Sequence, residues 1–338
     1  YPKLRIPVDD DLTDQSQFLL SLEDMKRELS RYYSLYPEQI PYDEAECRLY
    51  LTIGRTCIQQ GDYEKGLPHI HHILMNNLYV RTDPYLLLSF YRQLVFYGIQ
   101  TWQLPTMREA LENCRQIEEG LSSVSERAVG KRLWGLYYSM SGDYETSDRF
   151  LKEAIDAFER APLQLSAYTV NLAACYNYLG ENQLRQNNYE RAIELYQKAI
   201  DLCSDREDME NPTFYTNLAQ AYIRLKRFRD ASETLTRARA LYENSPVYMG
   251  RTIAYVSSAW LAFRQEETEE AARFLSQAQA DAGKLGSPLN EGSLALLSWI
   301  LKNGGEAAFD RLLPLSAEEY LEEAHRNLDG LPAGKMLL

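Results

Sequence analysis

The chain is short of the residues on which most enzyme sites depend. It has 4 histidines and 5 cysteines in 338 residues, and the cysteines (Cys47, Cys57, Cys114, Cys175, Cys203) include no close pair. That excludes a disulfide framework and points to a reducing cytoplasm, with Cys57 and Cys114 expected on inward faces. His69 and His72 would share a helix face, with His71 beside them, but no third ligand stands at helical spacing, so packed or solvated histidines are expected and no metal or other cofactor. No GxxxxGK[ST] motif and no glycine-rich strand-to-helix loop is present, and Gly334-Lys335 lacks its upstream glycine, so nucleotide binding is excluded. The carboxylate runs Asp9-Asp10-Asp11 and Glu266-Glu267 read as solvated loop and helix caps. Positive charge is scarce as well: 36 basic against 49 acidic residues give a net charge of -13, which argues against nucleic acid or an anionic membrane as a direct partner. No run of eighteen apolar residues occurs and the first residues are neither basic nor apolar, so neither a transmembrane helix nor a signal peptide is expected. A start at Tyr1 rather than at methionine suggests that something upstream is missing.

What the chain does have is a register. Six times a small residue is followed twelve positions later by another: Gly54/Gly66, Gly98/Ala110, Gly135/Ser147, Gly180/Ala192, Ala219/Ala231 and Ala259/Ala271. Two antiparallel helices that touch face to face need small side chains at the point of contact. Large residues recur around these positions at helical period, as in Tyr176, Leu179, Tyr196 and Ala199 of the fourth pair. Short turns such as Gly61-Asp62-Tyr63, Gly142-Asp143-Tyr144 and Asn187-Asn188-Tyr189 supply a left-handed residue, a cap and an aromatic plug. Most of the 25 tyrosines stand at these packing positions, which makes them core with the hydroxyl at the rim. The reading is an all-α superhelix in three parts: an extended segment and capping helix over 1–41, six helical hairpins over 42–286, and capping helices with a tail over 287–338. The amphipathic first helix is expected over Asp14–Tyr36, and the terminal ones over Asn290–Leu301 and Ser316–Leu328.

The stretch Tyr176–Ser204, YNYLGENQLRQNNYERAIELYQKAIDLCS, resembles a nearly full tetratricopeptide repeat through Leu179-Gly180, Tyr189, Ala192, Tyr196 and Ala199. Residues 131–154 and 50–73 match less completely. Second-helix anchors lie 44, 37, 45, 39 and 40 residues apart (66, 110, 147, 192, 231, 271), longer than the family's usual unit. Such lengthened repeats are similar to the sensor arrays of bacterial transcriptional regulators, of the MalT-like and the peptide-responsive quorum-sensing kinds. Nothing here resembles the helix-turn-helix that closes MalT-like regulators, so a DNA-binding part would lie upstream.

The resemblance implies a right-handed superhelix whose first helices line a concave groove. Transferred to this sequence, the groove takes Arg48, Arg55, Ile58 and Gln59 from the first hairpin, and Arg92, Ile99 and Trp102 from the second. The third adds Arg132 and Leu136, and the fourth Asn177, Glu181 and Arg185. Asn217, Gln220 and Arg224 come from the fifth, Trp260, Phe263 and Arg264 from the sixth. Arg48, Arg55, Arg92 and Arg132 would converge as a clamp for an acidic group, in competition with ordinary pairing to neighbouring acids. Asn177, Asn217 and Gln220 would pair with a peptide backbone, and Trp102 and Trp260 would anchor side chains. The expected function is a non-catalytic peptide- or protein-binding module in the cytoplasm, read as the sensor of a bacterial transcriptional regulator. The alternatives are a constitutive scaffold, or the regulatory region of an enzyme whose catalytic domain lies upstream, with a weak phosphatase-like activity on Gln59 as a variant. A homodimer is compatible with the acidic, tyrosine-rich faces.

Overall fold

A computed structural model describes residues 42–160, 166–204, 210–243, 250–304, 309 and 311–332. The helix expected over 14–36 lies outside the described residues. Among these residues there are fourteen α-helices, one short 3-10 turn (Tyr79–Arg81) and no strand. The helices pair in chain order: α1 (Tyr42–Gln59) with α2 (Tyr63–Asn76), α3 (Pro84–Thr101) with α4 (Leu104–Glu119), α5 (Val124–Ser141) with α6 (Tyr144–Glu159) and α7 (Ser166–Arg185) with α8 (Tyr189–Asp201). Then follow α9 (Pro212–Arg224) with α10 (Phe228–Glu243), α11 (Arg251–Arg264) with α12 (Thr268–Ala282), and α13 (Pro288–Asn303) with α14 (Ala317–Leu328).

One backbone device closes the first six hairpins. Gly61, Trp102, Gly142, Asn187, Lys226 and Glu266 all have positive φ, between 58° and 87°. The N–H of the next residue donates to the carbonyl five residues back, as in Asp62 to Cys57 (2.9 Å), Gln103 to Gly98 (2.9 Å) and Arg227 to Tyr222 (2.8 Å). This left-handed stop satisfies the frayed carbonyls of the first helix and turns the chain straight into the second.

That device also corrects the register of the second hairpin. Elsewhere the left-handed residue stands seven positions after the first small residue and five before the second, as in Gly54, Gly61 and Gly66, or Ala219, Lys226 and Ala231. Counted from Trp102, the equivalent pair is Val95 and Met107, three residues before the expected Gly98 and Ala110. Val95 and Met107 are 1% and 0% exposed, and Gly98 gives Met107 its room: a Cβ there would lie 2.7 Å from the Met107 Cβ. A glycine one turn late thus mimicked the repeat position. The corrected anchors 66, 107, 147, 192, 231 and 271 are 41, 40, 45, 39 and 40 residues apart, a more even unit than the sequence suggested.

In the other hairpins the small residues do meet large ones. A Cβ on Gly135 would sit 2.6 Å from Leu151, and one on Gly180 would sit 2.6 Å from the Tyr196 ring. Ala219, Ala231, Ala259 and Ala271 are fully buried. In the third pair Ser147 donates to the Gly135 carbonyl at 2.7 Å, so its hydroxyl is satisfied at the crossing itself. Apolar clusters then bridge successive hairpins: Leu151, Ile155 and Phe158 of α6 share one with Ala173, Cys175 and Leu179 of α7. All five cysteines are buried and free.

The chain end forms a seventh antiparallel pair that also serves as a cover. A Cβ on Gly292 of α13 would meet Leu328 of α14 at 2.4 Å, while Leu297, Leu301, Phe309 and Tyr320 close over α11 and α12. Ser316 and Glu319 form a reciprocal capping box at the start of α14. The superhelix curls far enough for its ends to touch. The Tyr63 hydroxyl donates to the Leu285 carbonyl at 2.9 Å, and a Cβ on Gly61 would lie 1.8 Å from the Lys284 carbonyl oxygen. Pro332 likewise packs against the Gly142 turn.

Gly180→Ala should lower stability by about 1–3 kcal/mol despite the better helix propensity of alanine, because the Tyr196 ring must move. Gly283→Ala, where nothing lies within 4 Å, should be neutral or stabilising by up to ~1 kcal/mol. Urea melts of the two variants check the pair, and equal effects would mean that the close approach at Gly180 is not limiting.

Candidate functional site: a concave groove

First helices of neighbouring hairpins touch along the inner wall, α5 with α7, α7 with α9, and α11 with α13. Their free faces enclose a cavity of about 430 Å³. Its walls run from the second hairpin to the seventh and include Ile99, Leu136, Met140, Phe214, Ile223, Ile253, Val256 and Ile300. Ten residues expected at the groove line this one cavity: Ile99, Trp102, Leu136, Asn177, Glu181, Arg185, Asn217, Gln220, Arg224 and Trp260.

One stripe of the wall is both polar and charged. Asn177, Glu181 and Arg185 are spaced four apart on α7 and so point the same way. Asn177 donates to Glu181 at 3.1 Å, and Asn217 of α9 donates to both Glu181 (3.1 Å) and Asn177 (3.0 Å). Arg185 closes the array on the Glu181 carboxylate (3.3 Å) and reaches across to the Ser139 carbonyl of α5 (2.9 Å). One carboxylate thus orients two carboxamides and one guanidinium from two helices. Burial raises the pKa of Glu181, opposed by Arg185 and by the bonds from Asn177 and Asn217. Among the lining residues Glu181, Arg185 and Arg224 carry charge, and the first two pair with each other.

The arginine clamp is not assembled. Arg48 pairs with Glu44 at 2.8 Å on the same helix, and Arg55 is exposed outside the cavity. Arg92 is committed to Glu118 (3.2 Å) and Glu126 (2.6 Å) between the second and third hairpins, and Arg132 lies over the Tyr178 ring, 6.0 Å from its centre. For Arg92 the acidic neighbours outcompete a distant ligand because they are already largely desolvated beside the guanidinium. Gln59 also lies outside the lining set, and Arg264 stands beside the Trp260 ring at 6.0 Å rather than in the cavity. His69 and His72 pack on Tyr50, with ring centres 5.2 and 5.3 Å away. No group of three potential metal ligands occurs among the described residues.

Among the lining residues absent from the expected list, two sets are polar and instructive. Gln100 was lost to the register slip: in the corrected register Ile99 and Gln100 take the places of Leu184 and Arg185 on α7 and of Ile223 and Arg224 on α9, all of which line the cavity. Ser287, Asn290 and Ser293 come from the chain end, which the sequence presents as a cover. The signal available for Gln100 was the even turn spacing; for α13 there was none, because its repeat pattern has faded.

Two tetratricopeptide-repeat profiles match the chain, over residues 126–205 and 183–252, the span of the third to fifth hairpins. Human mitochondrial import receptor subunit TOM70 is 31% identical over 70 residues, 21% of this chain. The match spans only 11% of that relative's length. A Rap protein complexed with Competence and Sporulation Factor superposes with a TM-score of 0.62 at 14% identity, covering 93% of this chain and 92% of its own. NprR in complex with its cognate peptide NprX gives 0.59 at 15% identity, covering 89% and 85%. Aspartyl phosphate phosphatase F from Bacillus subtilis gives 0.50 at 13% identity, covering 93% and 87%. At these identities the superpositions show a shared fold. Among the described residues no helix is long and apolar enough to cross a membrane.

The ion pair beside the groove has a pH signature. Burial lifts the Glu118 pKa to about 7 against the pull of Arg92, so the folded chain holds a proton there that the unfolded chain releases near pH 4.5. The Glu118 contribution to stability should therefore fall as pH rises from 4.5 to 7 and level off above. Glu118→Gln should flatten that slope, as read from urea melts at pH 5 and 8.

Proposed function

We propose that the chain is a non-catalytic receptor that holds a short peptide, or an extended segment of a protein, in the concave cavity. The observation that carries this reading is the Asn177–Glu181–Asn217 array in the wall of a cavity that also offers aliphatic and indole surfaces. A side-chain carboxamide offers a donor and an acceptor side by side, the complement of a peptide unit, and the fixed carboxylate holds both amides in place. The surrounding aliphatic and indole surfaces suit ligand side chains. With Glu181 and Arg185 neutralising each other, a largely uncharged peptide fits better than the acidic ligand an arginine clamp would select.

Two of the similar folds were captured with Competence and Sporulation Factor and with a cognate peptide, which supports a sensor role of the kind found in bacterial regulators. A scaffold reading draws on a different surface: Met75, Leu78 and Tyr85, at the join of the first two hairpins, are 76%, 74% and 50% exposed, which is unusual for residues of this size.

The test is a synthetic pool of peptides of about seven residues, passed over the immobilised protein and read by mass spectrometry. Wild type should retain a defined subset. Asn177→Ala with Asn217→Ala should weaken the best of these by at least about tenfold while circular dichroism stays helical. Equal retention by the double variant would remove the peptide-receptor reading.

A further inference from the structure

Among the described residues, five helices follow a residue in extended backbone whose side chain is able to cap them: Asp83 before α3, Ser123 before α5, Asn211 before α9, Ser287 before α13 and Ser316 before α14. In four of the five the side chain does so. Asp83 accepts from the Tyr85 and Leu86 N–H groups, Ser123 from that of Glu126, Asn211 from that of Thr213 and Ser316 from that of Glu319. Ser287 has the same backbone geometry (φ −91°, ψ 115°) and caps nothing. Its fair comparison is with α3 and α9, which also begin with a capping residue followed by proline. Proline has no N–H, so the first donor in need of a partner belongs to the residue after it. In α13 that residue is Leu289. Neither its N–H nor that of Asn290 meets an acceptor among the described residues, and the ladder starts with Glu291 donating to the Ser287 carbonyl at 3.0 Å.

The uncapped end opens on the groove. Ser287, Leu289 and Asn290 all line the cavity. Ser287 is 7% and Asn290 5% exposed, and neither side chain forms a hydrogen bond with a described residue. Their polar atoms stay open to the cavity, unlike the unpaired Ser293 hydroxyl further along the helix, which is sealed. The start of α9 reaches the cavity as well, through Asn211 and Thr213, but there the Asn211 side chain has taken the free N–H itself. Glu291, the acidic residue in the first turn of α13, lies outside the lining set and near Glu323 of α14. The helix start is also held in place, because the Leu285 carbonyl two residues before Ser287 accepts from the Tyr63 hydroxyl at 2.9 Å.

We propose that the start of α13 is a carboxylate subsite of the groove, filled by the C-terminal carboxylate of the bound peptide. The Leu289 and Asn290 N–H groups, the Asn290 carboxamide and the Ser287 hydroxyl are donors that stand together on one helix turn, and the positive end of the helix dipole favours negative charge there. A carboxylate only accepts, and its two oxygens can share these donors; an ammonium brings nothing but further donors. The site agrees with the preference of the cavity for a largely uncharged peptide, since a peptide without acidic side chains still carries its terminal carboxylate. It also gives the ligand a direction, with its last residue at α13 and earlier ones along Asn177 and Asn217. This inference rests on the peptide reading above.

The experiment takes the best peptide that wild type retains from the pool, made once with a free C-terminal carboxylate and once with a C-terminal carboxamide, and measures both affinities by calorimetry. Wild type should bind the free acid about tenfold more tightly. Ser287→Asp supplies the missing cap from within the chain, so it should raise the urea midpoint and at the same time abolish the preference for the free acid. Asn290→Leu should reduce that preference with helicity unchanged. Replacing any Asp or Glu of the peptide by Asn or Gln separates a side-chain carboxylate from the terminal one, and should leave the wild-type affinity unaltered. Equal binding of the two forms by wild type, a preference that survives Ser287→Asp, or no gain in stability from that variant would overturn the subsite. In those cases loss of the peptide by Asn177→Ala with Asn217→Ala would leave the groove standing. A loss on side-chain replacement alone would overturn the terminus as the source of the carboxylate. Retention of no peptide by wild type would remove the receptor reading and the subsite with it. Should Ser287→Asp fail to fold, Asn290→Leu decides.

Discussion

Everything in this chain rests on how closely two helices can lie at a crossing. Where Gly180 meets the Tyr196 ring, or Gly135 meets Leu151, there is no space for a methyl group, so the hairpin angle is set by hard contact rather than by a soft apolar interface. A left-handed residue and a backbone hydrogen bond at the turn lock the same geometry from the other end. Fixed hairpin angles, repeated, become fixed curvature. Curvature brings Tyr63 to Leu285 across the ring and turns the free faces of the first helices inward on a common cavity.

The cavity in turn decides which polar groups can be kept there. Buried carboxamides and a carboxylate are costly unless they satisfy one another. The stripe Asn177, Glu181 and Arg185, joined by Asn217, does so with hydrogen bonds of 3.0–3.3 Å. Outside it the same logic sends arginines elsewhere. Arg92 is held between Glu118 and Glu126, and this pair ties the second hairpin to the third. An arginine in a superhelix therefore reads as groove chemistry only when no acid on the next helix reaches it first.

How legible this was depended on how local the cause was. The turns around Gly61, Gly142 and Asn187, the capped helix after Ser316 and the buried faces of Tyr196 and Ala199 follow from side-chain period and backbone preference within a dozen residues. In the second hairpin, a tryptophan in the turn and a glycine one turn late gave the eye a false pair, because Gly98 makes room for Met107 as a repeat glycine would for its own partner. The slip of three residues kept Trp102 in the groove list and dropped Gln100.

By itself the sequence determined the fold class, the number of hairpins up to Gly286 and the wall on which α7 and α9 place their asparagines, since each is encoded in spacing along one helix or one turn. Tertiary structure alone decided which arginines are spent on neighbours, that α13 and its cap join the groove through Ser287, Asn290 and Ser293, and that the first hairpin meets the link after α12. Those outcomes depend on the sum of small rotations over seven hairpins, and on which of several competing carboxylates lies nearest once the stack has formed. No local pattern carries that sum.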